Sequence, residues 1–311
     1  MNVADQTAAV RSDNTRLQML VLLFGFATSG AALFSVYWLR AHANTNVMGW
    51  YASYIIPVGS LLVGIVAASG YGLASWLTGV KMRSRMLITV SLFQIIAYAI
   101  AHYVDFASQG VLMYPDGTQV TFFDFYHYET ISFAWIDKSG KMGSPVGLWG
   151  YGLRALEIVG FTGGGAIVPA ILMSVPYCDD CHIYMKTREL AQYASSIPIV
   201  KIKKNDAAGQ EAHDKAQEEA HAKGLAHVQS LNQFVTDNNA AAFKTYIEAV
   251  KPEQKAIKKL PRRVQINLIS CKCCAKGHII AALLTVNGDQ VIPLELSKTE
   301  LPPEFVRQIA G

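Results

Sequence analysis

Cysteine is missing from the first 177 residues of this 311-residue chain. That part can hold no disulfide and no thiolate metal site. Charge is scarce as well: 16% of residues are Asp, Glu, Lys or Arg, against 51% hydrophobic. The formal net charge of +4 is too slight to argue for a nucleic-acid partner, and no aromatic-interleaved basic module accompanies it. There is no Gly-x-x-x-x-Gly-Lys phosphate loop, no Gly-x-Gly-x-x-Gly dinucleotide fingerprint, no His-Glu-x-x-His and no Gly-x-Ser-x-Gly elbow. The commonest marks of nucleotide-dependent and hydrolytic enzymes are therefore absent.

What is present is divided unevenly. Residues 1–176 hold nine Lys/Arg and eight Asp/Glu of the 27 and 23 in the chain, which leaves 18 and 15 for residues 177–311. The first part is apolar in long runs. After a polar segment at 1–16, spans at about 17–39, 48–77, 86–106 and 148–175 are each long enough to cross a bilayer. A cleaved signal peptide is the alternative reading of the first. Its apolar run is longer than a signal core, however, and closes on Tyr37-Trp38, aromatics suited to the membrane interface.

Loop charge orients these spans. Arg11 and Arg16 precede the first, and Lys81, Arg83 and Arg85 crowd the short second loop. The loop at about 107–147 carries only Lys138 and Lys141 against Asp116, Asp124, Glu129 and Asp137. By the positive-inside rule both termini are cytoplasmic in a bacterial inner membrane. The fold class expected is a mainly α membrane protein: four transmembrane helices over 17–176, plus a small α+β cytoplasmic domain over 177–311.

Within the second span, Ser60, Gly64, Ala68 and Gly72 recur every four residues, and Gly160 and Gly164 repeat the spacing in the fourth. Small side chains on one face let another helix approach closely. Packing inside the bundle, a subunit interface and a permeation path all use such a stripe. Pro57 is expected to kink the second span, since it removes a backbone donor. In the outer loop, residues 111–121 read as two short strands around Pro115-Asp-Gly117, followed by the aromatic run Phe122–Tyr128. His102, Asp105, Asp124, His127 and Glu129 could ligate a metal or relay protons, but no pair has a diagnostic spacing. Arg154 and Glu157, three apart, read as a local ion pair.

All five cysteines lie in the tail, and four form two Cys-x-x-Cys pairs: Cys178/Cys181 and Cys271/Cys274. Each pair can place two thiolates on one side of a tetrahedral zinc, so a structural zinc site is expected. Unliganded thiols and redox chemistry are the alternatives, and Cys273, His182 or His278 could replace a ligand. The second pair follows a strand at 263–270 and precedes an Asn287-Gly288 hairpin, as in a zinc ribbon. The 89 residues from 182 to 270 are far more than a compact ribbon allows. A folded insertion at about 205–260 would account for them. It reads as one helix capped by Asp206, with Leu225, Val228, Leu231 and Val235 as its stripe, and a second capped by Asp237. His213, His221 and His227 read as solvated there. The basic clusters Lys201-x-Lys203-Lys204 and Lys255 to Arg263 suit anionic lipid headgroups or plain solvation. A short helix near the C-terminus is expected to pack on the ribbon.

The Gly-rich stretch Pro57–Gly64 with Gly70-Tyr-Gly72, and a last span running into Tyr177-Cys-x-x-Cys181, resemble a loose group of uncharacterised bacterial membrane proteins. That resemblance implies the architecture and brings no activity with it. Four spans with a Cys-x-x-Cys also resemble membrane thiol oxidases and vitamin K epoxide reductases. Those families keep their cysteines at the outer face or in the spans, where this chain has none. The function expected is a non-enzymatic membrane protein that presents its module to a protein partner or to further copies of itself. A small pore or transporter gated by the module is the first alternative, and a thiol- or metal-dependent membrane enzyme the second.

Overall fold

The structure, a computed structural model, describes residues 3–43, 45–135, 141–198, 206–288 and 290–310, with side chains from Thr15 onward and that of residue 310 excepted. The basic stretch at 201–204, and Asp137 and Lys138 of the outer loop, lie outside the described residues. The chain divides into two compact units, Met1–Val175 and Pro176–Gly311.

The first unit holds α1 (Val3–Ala43), α2 (Val58–Thr78), α3 (Ser84–Ser108), α4 (Phe122–Ile131) and α5 (Trp149–Ser174). Four stretches, Thr15–Ala43 of α1 and the whole of α2, α3 and α5, are long and apolar enough to cross a membrane. The most apolar window of α2 is 61% buried, against 22–33% in the other three, so α2 is the centre of the bundle. Its small residues explain how. A Cβ on Gly64 would lie 2.0 Å from the Phe161 carbonyl oxygen, and one on Gly72 would lie 2.2 Å from Val168 Cγ1. From the α5 side, a Cβ on Gly164 would sit 2.2 Å from the Leu61 oxygen, and one on Gly160 2.7 Å from the Pro57 ring. Ala68 is fully buried, and Ser60 donates from its buried hydroxyl to the Met48 carbonyl at 2.9 Å. On the opposite side α1 closes over Gly70 and Tyr71, with Thr28 and Ser29 both donating to the Ala67 carbonyl at 2.9 Å.

Two expectations fail at Pro57. The second span does not begin near Met48: residues 45–57 form turns and an Ala52–Ile56 bridge, reversed through Ser53 and Tyr54 in the left-handed region. Pro57 is not a kink but the residue at which α2 starts, where a missing amide hydrogen costs nothing. The proline inside a helix is Pro169, in α5. In the outer loop only the single bridge Met113–Gln119 forms around Pro115-Asp-Gly117, where two short strands are expected. The aromatic run after it is helical because Thr121 and Asp124 make a reciprocal capping box at the start of α4.

The second unit begins with a small hairpin, β1 (Tyr177–Cys178) and β2 (Ile183–Tyr184). A four-stranded antiparallel sheet follows in the order β3 (Lys186–Ala194), β4 (Arg262–Ser270), β5 (Gly277–Asn287), β6 (Gln290–Leu301). Between β3 and β4 come α6 (Ala207–Thr236), α7 (Ala240–Ala249), a turn of 3-10 helix (Lys251–Glu253) and α8 (Gln254–Ile257), and α9 (Pro303–Ala310) ends the chain. Helices cover one face of the sheet. Val264, Ile266 and Leu268 alternate toward Val228, Leu231 and Val235 of α6, Phe243 and Ile247 of α7, and Phe305, Val306 and Ile309 of α9.

Asp206 caps α6, accepting from the Gly209 amide at 2.9 Å. Asp237 does not cap α7; it ends α6, and Asn239 caps α7 by accepting from the Ala242 amide at 3.0 Å. At the start of the α6 stripe Gly224 is buried and Leu225 half-buried; a Cβ at 224 would lie 2.9 Å from Ser195 Cβ, so glycine lets α6 approach the end of β3 there. Nor are all the α6 histidines solvated: His221 Nδ1 is 2.9 Å from Ser195 Oγ, and His227 stacks on Tyr193 with Nδ1 2.6 Å from the Tyr246 hydroxyl.

Candidate metal centre

The two Cys-x-x-Cys turns meet because of strand register. Lys186, five residues after Cys181, pairs with Ser270, the residue before Cys271. Pairing runs from there to Ala194 and Arg263 at the far end, where the helical segment leaves the sheet. The 89 intervening residues are thus a closed excursion whose mouth is the β3–β4 ladder, and loop length scarcely opposes such closure. The first turn sits on the β1–β2 hairpin, with His182 in the left-handed region. The second links β4 to β5: the Cys271 amide donates to the Lys276 carbonyl at 2.8 Å, and Ala275 takes the left-handed conformation. An Asp180–Lys276 ion pair joins the two turns.

The Sγ atoms of Cys178, Cys181, Cys271 and Cys274 all lie within 4.8 Å of one another, and those of Cys178 and Cys274 are 3.7 Å apart. A tetrahedral zinc thiolate site with Zn–S near 2.3 Å has S–S edges of about 3.8 Å. The donor set is the size of a tetrahedral thiolate site, with the sulfurs drawing in by at most about 1 Å, and these four side chains would hold the ion. The alternatives sit elsewhere. Cys273 is exposed and, like His182 and His278, is not part of the cluster.

Electrostatics at the thiols agree with a site that asks for a cation. Burial pushes the Cys178 thiol up, and the Cys274 thiol, followed by burial, pushes Cys181 up. Burial acts the same way on Cys271, but the backbone amides of Cys274 and Cys273 outweigh it and bring that thiol down to about 7. Several sulfurs this close cannot all carry negative charge unless a cation sits among them. Beside the cluster, a cavity of about 290 Å³ is lined by Cys271 and by Lys186, Arg188, Lys272 and Arg307.

The residues considered at the outer loop fall apart into different roles. Asp124 is spent on the α4 cap, and His127 Nδ1 lies 2.6 Å from the Tyr151 hydroxyl. His102, Asp105 and Glu129 do come together, but around arginines and not around a metal cluster among the described residues. Arg154 bridges Glu157 at 2.8 Å and Glu129 at 3.0 Å, so its ion pair is not merely local. Arg40 of α1 reaches Asp105 at 2.5 Å and Glu129 at 2.7 Å. Tyr98 donates to Glu157 at 2.9 Å. Arg40 was missed from the sequence. Its one signal was being the sole charge near the end of an otherwise apolar span.

Four helices fit to cross a membrane and a four-cysteine cluster able to hold a metal ion define a membrane protein with a metal-site candidate in its second unit. No protein-family model matches the chain, nor does any characterised protein or solved structure. The likeness to bacterial four-span proteins rests on the quoted residues alone.

Proposed function

We propose that the chain is a non-enzymatic protein of the bacterial inner membrane whose second unit is a zinc-stabilised module that binds a partner protein on the cytoplasmic side. The observation that carries this reading is the convergence of two distant Cys-x-x-Cys turns into one tetrahedral-sized sulfur cluster. In a reducing compartment such thiols hold metal in preference to forming disulfides. Lys81, Arg83 and Arg85 support the cytoplasmic placement of the loop after α2 and, by parity of four spans, of the second unit. The module resembles a zinc ribbon in its Cys-bearing turns, with β3 and the helices as additions to that plan. The basic cavity beside Cys271 favours an acidic segment as the partner's contact. A pore lined by Ser60, Gly64, Ala68 and Gly72 draws no support from the packing, since α5 fills the groove along Gly64 and Gly72.

Elemental analysis of the full chain, purified in detergent under reducing conditions, tests the reading. About one zinc per chain is expected, lost in Cys178→Ser and in Cys271→Ser while the protein stays in the membrane fraction. Unchanged metal content in either variant rules out a shared site. Metal-free protein whose thiols oxidise in pairs would transfer support to redox chemistry and reverse the assigned orientation.

A further inference from the structure

Four basic side chains line the cavity of about 290 Å³ beside Cys271: Lys186 and Arg188 of β3, Lys272 of the second Cys-x-x-Cys turn, and Arg307 of α9. Leu268 and Val306 give it an apolar lining as well, and among the described residues no carboxylate lines it. A divalent ion on four thiolates would add −2 beside it (+2 − 4), against +4 from the lining, so an excess of +2 remains.

Two of those residues, Lys186 and Arg188, belong to a strand edge that is only half closed. In the order β3-β4-β5-β6, the edges are β3 and β6. β6 carries Pro293 and a bulge at Leu296, both of which discourage a further strand. Along β3 the far half is covered. There the Gln254 side chain of α8 accepts from the Gln192 amide at 3.0 Å and donates to the Gln192 carbonyl at 2.9 Å, as a neighbouring strand would. The near half, Lys186–Glu189, is exposed throughout.

Register fixes what that half offers. The Ser195 amide donates to the Arg262 carbonyl, and the Cys271 amide to the Lys276 carbonyl. Even-numbered residues of β4 therefore turn their backbone groups toward β3, and odd-numbered ones toward β5. Ser270 and Leu268 bond to Lys186 and Arg188, which leaves the amides and carbonyls of Thr187 and Glu189 directed out of the sheet. Lys186 and Arg188 stand on the helix-covered face with Leu268. Glu189 stands on the other face, where Gln265 donates to it at 3.2 Å and Lys258 lies 3.1 Å away.

We propose that an acidic segment of the partner protein binds as an added strand on the open half of β3, with a carboxylate at every second position. Main-chain bonds to Thr187 and Glu189 would supply affinity, and the alternation would supply specificity. Carboxylates on the helix-covered face would meet Lys186 and Arg188 at the cavity, while the intervening positions, set beside Glu189, would be neutral. The inference rests on reading the second unit as a partner-binding module, and it states how that contact is made.

Fluorescence polarisation with the zinc-assayed full chain in detergent tests it. The probe is a labelled eight-residue peptide of alternating threonine and glutamate. Saturable binding is expected. A peptide of the same composition with its glutamates in one block, and one with N-methylated amides, should each bind about tenfold more weakly or less well still. Lys186→Glu and Arg307→Glu should weaken binding by a similar factor. Thr187→Pro removes an outward amide without touching the β3–β4 ladder and should do the same; should that variant fold poorly, the N-methylated peptide tests those bonds on the unaltered chain. No binding, equal binding of either control peptide, or displacement of the probe by an equal concentration of oligothymidylate would each overturn the proposal. The zinc count separates the two failures: zinc-loaded protein that does not bind overturns strand addition alone, and zinc-free protein that does not bind overturns the module reading with it.

Discussion

Alanine at Gly164 and alanine at Gly163 differ by one position on α5 and should act in opposite directions. A Cβ at Gly164 would lie 2.2 Å from the Leu61 carbonyl oxygen, where ordinary contact begins near 3.4 Å. The shortfall is 1.2 Å (3.4 − 2.2), and the atom in the way is backbone, so the two helices must part by about that much. At Gly163, which is exposed, a Cβ meets nothing within 4 Å. Both variants gain the same helix propensity, about 0.8–1.0 kcal/mol, so it cancels between them. What remains is the overpacking cost at 164 alone, about 1–3 kcal/mol. For a unit of this size that is a difference in melting midpoint of roughly 2–12 °C, with Gly163→Ala at or above the wild type. Thermal unfolding of the full chain in one detergent, followed by size-exclusion recovery, measures it. Midpoints for the two variants within a degree of each other would refute the account of α2–α5 packing.

Arg154→Leu strands Glu157, which is 1% exposed, together with one oxygen of Glu129, and should cost about 3–5 kcal/mol, seen as a lower midpoint in detergent. Adding Glu157→Leu should recover part of that loss, and no recovery would mean the pair is not coupled. His227, stacked on Tyr193, has its pKa lowered by burial. The unfolded chain therefore binds the extra proton first, and stability of the second unit should fall as pH drops below about 6.5. Amide exchange of β3 in the full chain should show that fall, and His227→Phe should make it shallower, with the similarly lowered His278 supplying the rest.

The apolar spans were legible because a bilayer needs continuous hydrophobic length: α3 and α5 begin and end within two residues of the runs that signal them, and α1 extends past its run at both ends. The second departs at Pro57, where composition stays apolar but the backbone has already turned; hydropathy does not record a turn. Asp206 could be read as a cap because the cap and its helix are local. Asp237 misleads because two residue types able to cap, Asp237 and Asn239, stand two positions apart, and only geometry chooses Asn239. β3 left little trace. Lys186–Ala194 has no alternating pattern in its first half and is a strand because β4 pairs with it, bulged at Leu190. The cysteine spacing showed that two pairs exist, but not why they meet. The ion network was hidden for a similar reason: Arg40 and Glu129 are 89 positions apart, and nothing local ties one to the other.

The register that joins Lys186 to Ser270 also sets how the second unit responds to load. Tension between α5 and the C-terminal half enters the β3–β4 pair from one end, so it peels the ladder rung by rung and does not shear all rungs together. The first rung stands beside the four sulfurs. An ion held there would act as a clasp at the point where tearing starts, and force would pass from Cys178 to Cys274 without reaching α6 or α7. Metal removal would then lower the rupture force of the sheet far more than its folded content.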